Sequence, residues 1–167
     1  MKDSDQRDVF KEWLNSHSAL LFKIVRAYTI TADDRDDLFQ EISLQVWRSI
    51  PNFRHEAAVT TWLYRIALNT ALRWKSNEKK RVTEDLASMP VLQAESKPQN
   101  ERIDWLYDEI SKLNEIDRSL CLLLLDDFSY RDMADILGVS ESNVAIKIHR
   151  IKKYLIEQSK KSQHYEI

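Results

Sequence analysis

Two short stretches of the chain carry side chains whose types and spacing suit contact with nucleic acid. In the first, Trp62, Arg65, Asn69 and Arg73 recur at separations of three, four and four residues, so a helix would present them on one face. Aromatic rings stack on unpaired bases while guanidinium groups hold the backbone, a combination that grips single strands. Trp62 reads equally as a stacking ring or as a core aromatic. Trp74, on the inward side with Leu63, Ile66, Ala67 and Thr70, reads as core. In the second stretch, Asn143, Lys147, Arg150 and Tyr154 share a similar spacing, and Val144, Ile148, Ile151 and Leu155 form an apolar stripe beside them. Asn, Lys and Arg are suited to base edges and phosphates when their helix lies in a major groove. Lys152 and Lys153 are positioned to add phosphate contacts at its end.

Little else in the sequence could do chemistry. His17, His55, His149 and His164 are scattered without metal-ligand spacing. The pairs Asp33-Asp34, Asp36-Asp37 and Asp126-Asp127 fall at expected helix ends, where capping accounts for them. Cys121 is the only cysteine, which rules out an internal disulfide and a Cys-based zinc site. With one glycine there is no phosphate loop and no dinucleotide fingerprint. No nucleophile has a neighbouring base, so the expectation is a protein that is not an enzyme, with no metal, no cofactor and no small-molecule substrate.

The elements that must position these residues are helices. One glycine and three prolines in 167 residues leave almost none of the punctuation that sheets spend on turns, and Leu, Ile, Ala, Glu, Lys and Arg dominate the long stretches. The spacing predicts a first helix from Val9 to Tyr28 and a second capped by Asp33 or Asp34 that stops at Pro51. A third follows from Ala57 or Thr60 to Lys79. Residues 82–101 lose the helical period, hold Pro90 and Pro98, and carry a balance of −3, the character of a linker. From Ile103 the helical pattern resumes to about Ser159. The fold class is therefore all-α: two small helical domains, 1–81 and 102–167, joined by a flexible linker over 82–101. Gly138 falls between two helical patterns, with Ser140 as a natural N-cap for the second, which makes the C-terminal domain a helix-turn-helix.

Net charge is −2, yet it is unevenly spread: residues 54–81 balance at +5, 138–161 at +4 and 102–137 at −5. Two separate basic blocks are how a phosphate-facing surface shows in sequence. No apolar run approaches the roughly 20 residues of a membrane-spanning helix. The charged start, Met1 to Arg7, leads into no signal-peptide core, so the expected compartment is cytoplasmic.

The pattern Asp37-Leu-Phe-Gln-Glu with Trp47, then Phe53-Arg54, then Thr61-Trp-Leu-Tyr-Arg-Ile-Ala-x-Asn69, resembles region 2 of the extracytoplasmic-function sigma factors. The segment from Leu113-Asn-Glu-Ile-Asp-Arg to Arg150 resembles their region 4, and order and spacing agree from about residue 8 to residue 156. The resemblance implies a transcription initiation factor whose partners are core RNA polymerase, promoter DNA and an anti-sigma factor. It implies that Asp37, Gln40, Glu41, Leu44 and Trp47 lie on the helix that docks the polymerase clamp. It further implies that Phe53, Ile66 and Asn69 line a pocket for a base flipped out of the −10 element, closed by the loop from Arg54 to Val59. Trp62, Arg65, Arg73 and Lys75 would hold the single strand, and Ser142, Asn143, Lys147, Arg150 and Lys153 would read the duplex −35 element. Many relatives carry Thr-Val-Arg/Lys-Ser-Arg early in that reading helix. Asn143-Val-Ala-Ile-Lys147 stands there instead, and a basic contact is lost at Ala145. The rival reading, a stand-alone helix-turn-helix repressor or activator, explains residues 128–155 but neither the Trp/Arg/Asn helix nor the Asp37–Trp47 segment.

Overall fold

The structure, a computed structural model, describes residues 2–84 and 100–163. Among the described residues there are seven α-helices, one 3-10 turn and no strand, so the all-α expectation holds. The chain separates into two compact units, Met1–Lys97 and Pro98–Ile167. Most of the expected linker, residues 85–99, lies outside the described residues. At its edges, 82–84 continue a helix and Glu101 begins the next.

The first unit comprises α1 (Asp3–Tyr28), α2 (Ala32–Ser49), a 3-10 turn at Ile50–Asn52, and α3 (Val59–Glu84). Helix α1 starts six residues ahead of the apolar periodicity, with Asp3 and Asp5 in its first turn, where the positive end of the helix dipole favours carboxylates. Its backbone leaves helical geometry at His17 (φ −121°, ψ 19°). The cap of α2 is Thr31, whose side chain accepts from the Asp34 backbone N–H at 3.1 Å, and not Asp33 or Asp34, which occupy the first turn. The three helices pack against one another. Leu21, Ile24 and Tyr28 of α1 meet a core that also buries Leu38, Ile42 and Val46 of α2. Helix α3 buries Leu63, Ala67 and Thr70 as its spacing predicts, and also Tyr64, Leu68 and Ala71, because it is covered by two helices rather than one. Ile66 and Trp74, expected inward, are only half-buried.

The second unit comprises α4 (Glu101–Ser111), α5 (Glu115–Leu125), α6 (Tyr130–Leu137) and α7 (Glu141–Gln163). Polar caps fix each start: Asn100, Asn114 and Ser129 accept from backbone N–H groups of Arg102, Asp117 and Asp132, and Ser140 accepts from that of Asn143 at 3.1 Å. Helix α5 runs through the centre, packed by α4, α6 and α7, and buries an unbroken run of six residues, 118–123. One of them is Cys121, and burial pushes its thiol up to about 11. Arg118 is another, its guanidinium donating to the carbonyls of Ser111 at 2.8 Å and Leu113 at 3.0 Å in the turn from α4 to α5.

Candidate nucleic-acid interface

The helix-turn-helix of α6 and α7 is set by three local features. Gly138 ends α6 in the left-handed region (φ 68°, ψ 34°), its N–H donating to the Ala134 carbonyl. Ser140 restarts the chain as a cap. Val144, Ile148 and Ile151 then seat α7 on α5 and α6. The side of α7 that is left open carries Ser142, Ile146, His149, Arg150 and Lys153, all exposed. This stripe lies two positions around from the buried one. The face read from sequence (Asn143, Lys147, Arg150, Tyr154) lies only one position around, and three of its members are drawn inward. Asn143 is half-buried. The Lys147 ammonium sits 3.6 Å from the Asp117 carboxylate of α5, with its side chain 27% exposed. Tyr154 is half-buried, its hydroxyl donating to the Glu109 carboxylate at 2.8 Å.

In the first unit, Phe53 is the hub of an aromatic group. Its ring meets Trp13 of α1 edge-on at 5.2 Å, Trp62 of α3 at 5.4 Å and His55 at 4.6 Å. His55 takes a left-handed backbone (φ 59°), a conformation in which histidine is enriched among non-glycine residues. That turn folds its exposed ring back over Phe53. The indole nitrogen of Trp62 is buried and has no hydrogen-bond partner among the described residues. From Trp62, the surface of α3 continues through Ile66, Asn69 and Arg73 at separations of four, three and four, with Asn69 and Arg73 exposed and Ile66 half-buried. Lys75 does not join them, since two residues past Arg73 is roughly 200° around the helix.

Helix α2 carries the remaining candidates. Gln40 and Leu44 are exposed, Leu44 at 41% despite its apolar side chain. Asp37 accepts from the Trp74 indole N–H at 3.1 Å, and Glu41 from the Gln45 amide at 3.3 Å. Both line a cleft of about 340 Å³ between α2 and α3, shared with Arg73 and Asn77. Trp47 turns toward α1: its ring meets Phe10 edge-on at 5.5 Å, and its carbonyl accepts from the Gln6 side chain at 2.8 Å. Among the described residues no three His, Cys, Asp or Glu side chains are grouped so as to hold a metal ion, and no described helix is long and apolar enough to cross a membrane.

Residues 13–81 match Sigma-70 region 2, and residues 103–155 match Sigma-70, region 4. The ECF RNA polymerase sigma-E factor of Haemophilus influenzae is 30% identical over 141 residues, covering 75% of this chain and 75% of the relative. The chain belongs to the ECF sigma factors. RNA polymerase sigma factor YlaC of Bacillus subtilis is 26% identical to this sigma factor over 175 residues, covering 99% of each chain. The solved structure of the sigma factor RpoE from Bartonella quintana, in complex with the anti-sigma factor NepR, has the same fold: TM-score 0.69 and 21% identity over 90% of this chain and 96% of that one. The candidates from Asp37 to Lys75 fall within the matched region 2 of this sigma factor, and those from Ser142 to Lys153 within its region 4. Sequence reasoning did not single out Ile146, and reached His55 as a site residue only as part of the loop from Arg54 to Val59. For Ile146 a signal was present, because the buried stripe at 144, 148 and 151 already fixes the opposite side of the helix.

Proposed function

We propose that this sigma factor binds core RNA polymerase and directs it to specific promoters, the α6–α7 helix-turn-helix reading the duplex −35 element and the first unit capturing the −10 element as a single strand. The observation that carries this reading is the presence, in one chain and in this order, of matches to sigma region 2 and sigma region 4. The exposed stripe Ser142–Arg150–Lys153 supports base and phosphate contact by α7, with Asn143 and Lys147 at its margin. The −10 side draws support from the surface that runs from Phe53 and Trp62 past Ile66 and Asn69 to Arg73: stacking rings at one end, an amide in the middle and a guanidinium at the other. Arg54 and Arg65 add positive charge beside it, and Lys75 extends the basic charge of α3 on another side of the helix. On α2, Gln40 and Leu44 meet the polymerase clamp directly, Asp37 and Glu41 from the edge of the cleft, and Trp47 steadies the helix from behind. An anti-sigma factor completes the set of partners, a reading supported by RpoE of Bartonella quintana, which was solved with NepR. The protein acts in the cytoplasm and as a non-enzymatic factor, since its task is to position polymerase and DNA.

Run-off transcription with purified core polymerase on a genomic fragment library, with and without the protein, tests the whole reading. The expected result is a set of new start sites preceded by a shared pair of motifs. No new start, together with tight duplex binding by the protein alone that weakens steeply with salt, would replace it with a stand-alone regulator.

A further inference from the structure

One apolar side chain stands in the middle of the α7 stripe that would lie in the groove. Ile146 is 54% exposed, one helical turn after exposed Ser142 and one before exposed His149 and Arg150. A single exposed isoleucine on an arbitrary surface needs no explanation. Here its flanking residues are polar or basic, and the buried stripe of the same helix, Val144, Ile148 and Ile151, already supplies its packing. The neighbouring cation does not compete for the position, because the Lys147 ammonium lies against Asp117 of α5 at 3.6 Å. In the major groove the base edges offer donors, acceptors and a single apolar group, the C5-methyl of thymine.

We infer that Ile146 is a specificity-determining residue of the −35 contact, packing on a thymine methyl, and that Lys147 is a positioning residue that ties α7 to α5 through Asp117. The inference rests on the proposed promoter reading and goes beyond it by naming the base. It also gives a physical reason for recognition without the basic side chain lost at Ala145: part of the reading is apolar and keeps its strength as salt rises.

The test uses the polymerase holoenzyme on promoters recovered from the run-off library. Each thymine of the −35 element is replaced in turn by uracil, which pairs identically and lacks only the methyl. At one position the wild-type holoenzyme should bind the uracil promoter about fourfold more weakly, the worth of one buried methyl-sized group. Ile146→Ala should lose a similar factor on thymine DNA and no longer distinguish the two bases. Ile146→Val should keep most of the difference. Lys147→Ala should lower thermal stability and overall affinity, yet still bind thymine DNA about fourfold better than uracil DNA. The inference is overturned if no thymine is sensitive, if the element contains none, or if Ile146→Ala discriminates as well as wild type. These results are distinct from failure of the promoter reading itself, which would appear as the absence of any new start site.

Discussion

Tyr154 and Glu109 meet across 45 residues of sequence, and neither side chain announces the other. Spacing puts Tyr154 beside Lys147 and Arg150 on a helix, but it cannot say that a carboxylate from α4, only 6% exposed, would claim the hydroxyl. Trp47 is similar: its place on α2 is legible, its turn toward Phe10 is not, because that depends on where α1 crosses. The Tyr154–Glu109 bond raises the tyrosine hydroxyl above its ordinary value of 10.0, since the neutral hydroxyl donates and a tyrosinate could not. The same carboxylate, hydrogen-bonded to Lys112 at 3.1 Å, raises that ammonium as well. With the folded value above the unfolded one, the tyrosine's contribution to stability is complete below pH 10 and is lost as pH climbs through the raised value. Tyr154→Phe should therefore destabilise the second unit by about 1 kcal/mol at neutral pH. Denaturant titrations at pH 7 and above pH 10 should find the gap between variant and wild type closing at the higher pH.

Helices, by contrast, are largely legible one at a time. Scarcity of Gly and Pro, Ser140 before the last helix and Gly138 before Ser140 are all local signals, and the structure has each of them in the expected role. The rotation of α7 was harder to read. Polar residues one position from a buried stripe sit at its margin, and there Asp117 and Glu109 take up Lys147 and Tyr154. Residues two positions around, such as Ser142, Ile146 and Lys153, face outward. A stop at Gly138 also makes a definite prediction. A Cβ placed there meets nothing within 4 Å, so Gly138→Ala brings no clash, but φ of 68° costs a side chain about 1–2 kcal/mol. At roughly 4–8 °C per kcal/mol for a small domain, calorimetry should find the transition of the second unit lowered. Gly138→Asn should lower it less, because asparagine tolerates that region better.

For the molecule as a whole, composition gives the helical class, and the change of character over 82–101 reads as a linker, of which 85–99 lie outside the described residues. The net charge of −2 is the more instructive number, since attraction to DNA must come from blocks rather than from the total. Removing one phosphate contact should lower the slope of log affinity on log salt by about 0.9. Lys153→Ala should thus flatten the salt dependence of holoenzyme binding by nearly one unit and weaken all promoters alike, whereas Ile146→Ala leaves the slope unchanged. Cys121, sealed in the centre of the second unit, has a use in the laboratory. A thiol held near 11 is almost wholly protonated at neutral pH, and bulky reagents cannot reach it while α4, α6 and α7 surround α5. A probe cysteine at exposed Ser16 (Ser16→Cys) would take a maleimide dye selectively, with the native residue left in place. In the unlabelled protein, the slow uptake of an aromatic disulfide reagent by Cys121 becomes a clock, each modified molecule recording one occasion on which the second unit came open.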